Sequence, residues 1–261
     1  MAKPVIWITG ASSGIGEAAA QKFSKEGYAL LLSSRNLKEL ERVKTSCAFP
    51  KDIRILPLDL ADSGDFDQKV ATALSFFGKV DMLLHNGGIS QRSLIKDTQL
   101  EVDRKLMEVN YFGTVALTKA ILPHFIQKKQ GHFAVVTSLV GKFGTPYRSS
   151  YAGSKHALHG FFDTLRAEHH QDGISVTLIC PGFIRTQVSI NAITGDGSPL
   201  GEMDQAQAQG MSPEACAKAL FRAMKSKKEE VYIGGKETLA VYLKRFLPGL
   251  FSKILRSAKV R

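Results

Sequence analysis

Apolar runs alternate along the chain with segments of helical periodicity. The runs show little polar alternation, which is typical of strands covered by helices on both faces. They predict strands near residues 5–9, 28–33, 53–58, 80–85, 132–138, 174–180 and 230–233. Helical periodicity predicts helices near residues 14–26, 37–46, 62–77, 99–128, 150–171 and 212–226. This alternation predicts an α/β fold, a doubly wound parallel sheet that binds ligands beyond the carboxyl ends of its strands.

The length of 261 residues favours one large domain, residues 1–235, followed by an extension, residues 236–261. Within the domain, residues 187–211 break the pattern and contain four glycines. A mobile flap over a substrate and an unstructured surface loop both fit this segment. No apolar run reaches about 18 residues, so we expect no membrane-spanning helix.

A glycine-rich loop joins the first predicted strand to the first helix. It reads Gly10-Ala11-Ser12-Ser13-Gly14-Ile15-Gly16. Glycines allow a tight turn and close approach to a pyrophosphate, and the helix N-terminus offers free N–H groups to that anion. The loop therefore predicts a dinucleotide site, although a ligand-free strand-to-helix turn is the alternative.

A second signal is the pair Tyr151 and Lys155, four residues apart in a predicted helix. Side chains at this spacing lie on one helical face. A nearby ammonium lowers the pKa of a phenol from its free value of about 10. A tyrosine that exchanges a proton near neutral pH suits carbonyl–alcohol interconversion, whereas an ordinary exposed helical face is the alternative.

These two motifs together resemble the short-chain dehydrogenase/reductase family, in its subgroup of about 250 residues. The resemblance extends from residue 4 to about residue 233 and includes Asn86-Gly87-Gly88, where the family usually has Asn-Ala-Gly. It implies a single-domain, Rossmann-type sheet and an oxidoreductase that transfers hydride between nicotinamide and a carbonyl or secondary alcohol. Family members commonly form dimers or tetramers, and we expect the same here through the helices at 99–128 and 150–171.

The resemblance also implies roles for individual residues. Tyr151 is the general acid in reduction, Lys155 lowers its pKa and holds the nicotinamide ribose, Ser138 stabilises the substrate oxygen, and Asn110 positions a water. The implied cofactor-binding residues are Gly10, Ser12, Ser13, Gly14, Ile15, Gly16, Ser34, Arg35, Asp59, Leu60, Asn86, Gly87, Tyr151, Lys155, Pro181, Gly182, Ile184 and Thr186.

The end of the second predicted strand distinguishes between the two nicotinamide cofactors. An acidic residue there binds the ribose hydroxyls of NAD and repels a 2′-phosphate. This chain has Ser34 where the family's NAD enzymes have aspartate, followed by Arg35, whose guanidinium suits a phosphate monoester. We therefore expect NADP(H), with a solvated Arg35 as the alternative.

The net charge of +11 is concentrated in the extension, where seven basic residues and one acid give +6. Apolar and basic residues alternate there, and Pro248-Gly249 splits the segment into two short predicted helices. A peripheral contact with an anionic membrane and a helical cap on the domain both fit. Nucleic-acid binding is not expected, because no readout motif accompanies the charge.

We expect no metal site and a cytoplasmic location. Cys47, Cys180 and Cys216 show no metal-type spacing and fit reduced thiols. His156 and His159 have no acidic partner at ligand spacing.

The predicted function is NADP(H)-dependent hydride transfer between nicotinamide and a small carbonyl or secondary alcohol. The chain looks most like the family members that act on lipophilic, steroid- or retinoid-like carbonyl compounds. One alternative is a 3-oxoacyl-thioester reductase, which Gln171-Asp172-Gly173 disfavours because such enzymes usually carry a basic residue there. Another is a non-catalytic module that senses NADP.

Overall fold

The computed structural model describes residues 3–257 and contains one seven-stranded sheet. Its strands are β1 (Val5–Thr9), β2 (Ala29–Ser33), β3 (Ile53–Ile55), β4 (Met82–His85), β5 (Gly131–Val136), β6 (Ile174–Pro181) and β7 (Glu230–Ile233). All neighbouring strands are parallel, in the order β3-β2-β1-β4-β5-β6-β7. The predicted doubly wound parallel sheet is therefore confirmed.

The strand order reverses between β1 and β4. In a sheet of this kind the loops diverge at that point, which leaves a crevice at the carboxyl ends of the strands. The predicted motifs at Gly10, Asn86, Ser138 and Gly182 all follow the carboxyl ends of strands around this crevice.

Helices cover both faces of the sheet. They are α1 (Gly14–Lys25), α2 (Leu37–Ser46), α3 (Phe66–Phe77), α4 (Leu100–Met107), α5 (Gly113–Lys128), α6 (Ser149–Glu168), α7 (Gln205–Ala208), α8 (Pro213–Lys225), α9 (Leu239–Phe246) and α10 (Pro248–Ser257). None of the helices within the described residues is long and apolar enough to cross a bilayer.

Two apolar cores lie on opposite faces of the sheet. Along β1, Val5 and Trp7 enter the core formed with α3, α5 and α6, whereas Ile6 and Ile8 enter the core formed with α1, α2 and α8. Successive side chains of a strand point to opposite faces. Both sets are buried here, which explains why the strands read as continuous apolar runs.

Most predicted elements differ from the structure by a few residues at one or both ends. The strand expected at 53–58 ends at Ile55, shortly before Pro57, which has no N–H to donate to a ladder. The helix expected at 62–77 begins at Phe66. The helix expected at 99–128 is interrupted by a π-helical turn, Glu108–Phe112.

The C-terminal extension packs on the domain, as the cap interpretation predicts. Val241 in α9 and Phe251 in α10 are buried in a cluster with Leu139 and Phe143, and the rings of Phe143 and Phe251 lie 5.2 Å apart. Two of the seven basic residues counted in the sequence, Lys259 and Arg261, lie outside the described residues.

Candidate active site

The glycine loop makes a close junction between β1 and α1. Gly10 and Gly14 have φ values of +63° and +57°, which side-chain-bearing residues rarely adopt. A Cβ on Gly16 would lie 2.2 Å from the carbonyl oxygen of Gly10, so the third glycine is required by backbone contact. Ser13 is the N-cap of α1, and its side chain makes no capping hydrogen bond. The loop thus leaves a hydroxyl and the helix N-terminus available to an anion.

Asn86 and Thr9 join the ends of β4 and β1. The Asn86 side-chain amide donates to the carbonyl oxygen of Gly10 over 3.0 Å, and the Thr9 hydroxyl accepts from the N–H groups of Asn86 and Gly87 over 3.1 Å each. A Cβ on Gly87 would lie 2.7 Å from Leu60 Cδ1, so the glycine at this position accommodates that leucine.

Lys155 is buried on α6 with 5% of its surface exposed. Its Nζ donates to the carbonyl oxygen of Val136, at the end of β5, over 2.9 Å, and lies 5.8 Å from the centre of the Tyr151 ring. Burial lowers the pKa of the Lys155 ammonium to about 8. The helical spacing predicted from the sequence therefore places both side chains in one buried corner beside β5.

Ser138 lies immediately beyond β5. Its hydroxyl accepts from the N–H of Val140 over 3.3 Å and faces the Pro181 carbonyl oxygen at 3.4 Å. These contacts are long for hydroxyl hydrogen bonds, so the group keeps capacity for a stronger partner.

Asn110 occupies the π-helical turn between α4 and α5. Its side chain accepts from the N–H of Ile89 over 2.8 Å and donates to the carbonyl oxygen of Ile89 over 2.9 Å and to Ser154 over 3.1 Å. A π-helical turn often marks a functional position, and here it aims a completely buried amide at the segment after β4.

One cavity of about 1170 Å³ runs along the carboxyl edge of the sheet. With two exceptions, every predicted site residue lines it, from the glycine loop through Asp59, Ser138, Tyr151 and Lys155 to Thr186. The exceptions, Gly16 and Asn110, are absent from its lining. Gly16 packs against the carbonyl group of Gly10. A Cβ on Gly88 would lie 2.9 Å from Asn110 Oδ1 and 3.6 Å from Lys155 Nζ, so Gly88 leaves the space between these two side chains open.

Arg35 is exposed at the adenine end of the predicted dinucleotide path. Within residues 3–257 it forms no ion pair, whereas nearby Glu39 is paired with Arg42 over 2.7 Å. Ser34 turns its hydroxyl toward the chain and accepts from the N–H of Asn36 over 3.2 Å. The cavity wall here carries one cation without an ion pair, Arg35, and one acid without an ion pair among the described residues, Asp59, whose carboxylate accepts from the N–H of Ala61 over 3.0 Å.

The segment 187–211 forms part of the cavity wall. Gln187, Asn191 and Pro199 line the cavity, and β-bridges from Ile193 to Gln91 and from Met211 to Ile184 attach the segment to the rest of the domain. This placement fits the predicted flap, and its mobility stays a prediction.

Several residues that position the site were missed by the sequence analysis. Gln91, completely buried, accepts through Oε1 from the N–H groups of Ser150 and Tyr151 and so caps α6 from another element. Arg92 and Arg148 also line the cavity, beside buried Asp204. No local motif marks these residues, because their partners are 56 to 112 positions away in the sequence.

His159 has an acidic neighbour, contrary to the expectation from the sequence. Its Nδ1 lies 3.3 Å from a carboxylate oxygen of Glu230, and its Nε2 lies 3.8 Å from Cys180 Sγ. Glu230 comes from β7, so sequence spacing could not reveal it. The same carboxylate oxygen also accepts from Lys142 over 2.9 Å, and the two ring nitrogens face different partners. Glu230 thus lies between Lys142 and His159, whose buried Nδ1 has no hydrogen bond among the described residues.

Comparison with known proteins agrees with this geometry. The model of the short chain dehydrogenase family matches residues 4–196, about three quarters of the chain. The chain belongs to the short-chain dehydrogenase family. Dehydrogenase/reductase SDR family member 7B of Mus musculus is 44% identical over 259 residues, which are 97% of this chain and 80% of the mouse protein. The predicted family membership is confirmed.

Two solved structures of the family share the fold. An alcohol dehydrogenase from Thermococcus sibiricus, complexed with 5-hydroxy-NADP, is 26% identical with a TM-score of 0.76 and covers 90% of this chain and 97% of its own. A family protein from Burkholderia phymatum, in complex with NAD, is 20% identical with a TM-score of 0.83 and covers 95% of both chains. The two differ in the bound cofactor, so similarity alone leaves the choice between NAD and NADP open.

Proposed function

We propose that this short-chain dehydrogenase reduces a lipophilic carbonyl compound with NADP(H) and can catalyse the reverse oxidation. The observation that supports this most is the meeting of Ser138, Tyr151 and Lys155 on one wall of a cavity that continues to the glycine loop. A proton donor, a hydrogen-bond donor and a buried cation then face the same space as the dinucleotide path. Carbonyl reduction requires these groups together.

The residues of the path fit a dinucleotide. A Cβ on Gly14 would lie 3.0 Å from Thr186 Cγ2, so the loop has no room for a larger residue between α1 and the segment after β6. Ser12, Ser13 and Ile15 would hold the pyrophosphate, and Ile184 and Thr186 the carboxamide. When bound, the nicotinamide supplies or accepts the hydride.

The protein side of the reaction is proton transfer at one oxygen atom. The Tyr151 hydroxyl donates its proton to the substrate oxygen as that atom gains negative charge, and the Ser138 hydroxyl donates a hydrogen bond to it. Lys155 stabilises the phenolate left on Tyr151 through its positive charge. The Asn110 side chain holds the backbone at Ile89. It would also position the water that connects Lys155 to solvent.

Apolar residues that line the same cavity support a lipophilic substrate. They belong to the cap and to the segment after β5: Leu139, Val140, Phe143, Ala240, Phe251, Ile254 and Leu255.

A 3-oxoacyl-thioester reductase is the alternative function. A panel of ketones, aldehydes and 3-oxoacyl thioesters, assayed by NADPH oxidation, discriminates between the two functions.

Tyr151→Phe is expected to lower kcat at least about 100-fold, because it removes the proton donor and leaves the ring in place. The affinity for NADPH, measured by fluorescence titration, stays near that of the unmodified protein. Tyr28→Phe is the matched control, since Tyr28 packs on Phe23 and Phe221 away from the cavity. A Tyr151→Phe variant that keeps a tenth of the activity would exclude Tyr151 as the proton donor. If the unmodified protein turned over no compound of the whole panel, this would favour an NADP sensor.

Arg35 is expected to favour NADPH over NADH by about tenfold or more. A charge-assisted hydrogen bond to the 2′-phosphate contributes roughly 1.5–3 kcal/mol, and a tenfold preference requires about 1.4 kcal/mol. Arg35→Ala should remove most of the difference between the two dissociation constants. Arg54→Ala removes an exposed arginine of β3 outside the cavity and serves as control. Equal affinities of the unmodified protein for both cofactors would contradict the proposal.

The outer face of the cap supports a peripheral contact with anionic membranes by a cytoplasmic protein. Leu239, Phe246 and Leu247 are more than half exposed. Basic residues flank them on the same two helices: Lys244, Arg245, Lys253 and Arg256. Apolar side chains would enter the interface while the basic ones meet lipid phosphates.

Cosedimentation with phosphatidylserine vesicles tests this contact. We expect binding that weakens with salt, because exposed charges are screened over about 10 Å at 0.1 M ionic strength. Arg245→Glu with Lys253→Glu should abolish it, whereas the same reversal at exposed Arg222 and Lys225 of α8 should not. Full-length protein that stays in the supernatant at low salt would exclude the contact.

We also propose that the protein forms homodimers or homotetramers through α4, α5 and α6. Leu100 and Phe112, on the first of these helices and the π-helical turn, are each more than half exposed and would be covered in such an assembly. A monomeric mass in light scattering at micromolar concentration would contradict this.

A further inference from the structure

Two buried arginines line the cavity near Tyr151 and share one buried aspartate, Asp204. Arg92, in the segment after β4, donates through Nε to Asp204 over 2.7 Å. The Nη1 of Arg92 donates to the Ser90 hydroxyl over 2.8 Å and to the Gln91 carbonyl oxygen over 2.6 Å. Arg148, directly before α6, reaches the same Asp204 oxygen through Nη2 at 3.4 Å. Both arginine side chains are at least nine-tenths buried.

The charges of this cluster do not balance. It contains two guanidinium groups and one carboxylate, which leaves one positive charge. Asp204 is the only acidic partner of either arginine within residues 3–257. A buried charge is costly unless it is paired, so the structure shows one cation without a counter-ion of its own.

Arg148 is the arginine left without a full set of partners. Its Nε is buried and has no hydrogen-bond partner within the described residues, and its Nη2 contact with Asp204 is long. Burial, and then repulsion from Arg92, lower the pKa of Arg148 to about 10. Its guanidinium lies 5.9 Å from the Phe183 ring, which holds it at the cavity wall.

A purely structural role accounts for Arg92 but not for Arg148. Asp204 belongs to the segment 187–211, and its pairing with Arg92 attaches this segment to the loop after β4. That attachment is complete with one arginine. A second buried guanidinium adds repulsion to it, so the structural role gives no reason for its presence.

The position of Arg148 in the cavity wall gives a reason for a second buried guanidinium. It precedes Tyr151 by three residues, and both side chains line the same cavity. A planar guanidinium is suited to a carboxylate or a phosphate. The apolar wall formed by Phe143 and Phe251 lies in the same cavity, so one ligand can contact both surfaces.

We propose that Arg148, supported by Arg92, binds an anionic group of the substrate, a carboxylate or a phosphate ester, and that the substrate is therefore an anionic amphiphile with a reducible carbonyl. The apolar chain of the substrate lies against the cap, and its charged group supplies the missing counter-ion. This inference rests on the proposed carbonyl reduction and narrows its substrate class.

Matched substrates test the proposal. Long-chain keto acids, with the carboxylate one to six carbons from the ketone, are compared with their methyl esters, and 2-oxoalkyl phosphates with the corresponding 2-oxoalkyl alcohols. For at least one spacing, we expect kcat/KM of the anion to exceed that of its neutral partner at least about tenfold, since a charge-assisted pair is formed only by the anion. The anion with the higher kcat/KM shows whether the site prefers a carboxylate or a phosphate. Equal or better turnover of every neutral partner overturns the proposal.

Arg148→Gln should reduce the anion-to-neutral ratio of kcat/KM at least about tenfold, because the planar amide keeps most of the shape and loses the charge. Arg148→Lys restores part of the ratio and is informative if the glutamine variant does not fold. Arg185→Gln, an exposed arginine outside the cavity lining, is the matched control. An unchanged ratio in folded Arg148→Gln overturns the assignment.

A binding measurement separates this inference from the proposed reaction. Dodecanoate and dodecanol, which carry no ketone, are titrated against the protein with melting temperature as the readout. Stabilisation by dodecanoate alone that disappears in Arg148→Gln supports the anion site even if no ketone is turned over, and in that case only the proposed reaction fails. Equal stabilisation by both compounds overturns the anion site while leaving carbonyl reduction intact.

Discussion

The site depends on one buried cation, the ammonium group of Lys155. A lysine with 5% exposure loses most of its hydration, and the carbonyl oxygen of Val136 is the one hydrogen-bond acceptor within the described residues that replaces it. Such a group is stable only where the surrounding backbone is fixed. The parallel sheet fixes it, because β5 lies between β4 and β6 and ends next to α6. Tyr151 and Ser138 are positioned by the same two elements.

Burial of the Lys155 charge is unfavourable for folding, but it strengthens the effect of that charge on the reaction. In a poorly hydrated corner a positive charge acts strongly on a neighbouring phenol, whereas water would screen it at the surface. The π-helical turn at Asn110 and the cap on α6 formed by Gln91 both hold backbone around this corner. The most regular part of the fold, the centre of the sheet, therefore holds the buried ammonium group of Lys155, whose burial is unfavourable.

Much of the fold and part of the site follow from the sequence because they are local. The strands, the glycine loop and the spacing of Tyr151 and Lys155 each depend on residues within a few positions of one another. The glycines at 10, 14 and 16 also report a backbone requirement that no other residue meets. The π-helical turn was not predictable, because its residues have ordinary helical periodicity and the turn arises where α5 approaches Leu60.

The long-range partners were not predictable either. Asp204 pairs with Arg92 from 112 positions away, and Glu230 of β7 lies beside His159 of α6. The role of the extension was open for a similar reason, since amphipathic helices suit a membrane and a cavity wall equally. In the structure their inner face forms an apolar part of the wall of the cavity that Arg148 also lines. The cavity thus combines an apolar wall, a proton donor and a cation. This combination is visible only in the three-dimensional structure.

The pH dependence of folding stability tests the buried cation most directly. Cofactor-free protein and Lys155→Met are unfolded in urea at pH values from 7 to 10.5. Because the folded pKa of Lys155 is about 8 and the unfolded value is 10.5, the unfolded chain binds more protons between these values, and the unmodified protein gains stability as pH rises. We predict that the stability of Lys155→Met relative to the unmodified protein falls by about 3 kcal/mol over this range. Parallel stability curves for the two proteins would contradict the account.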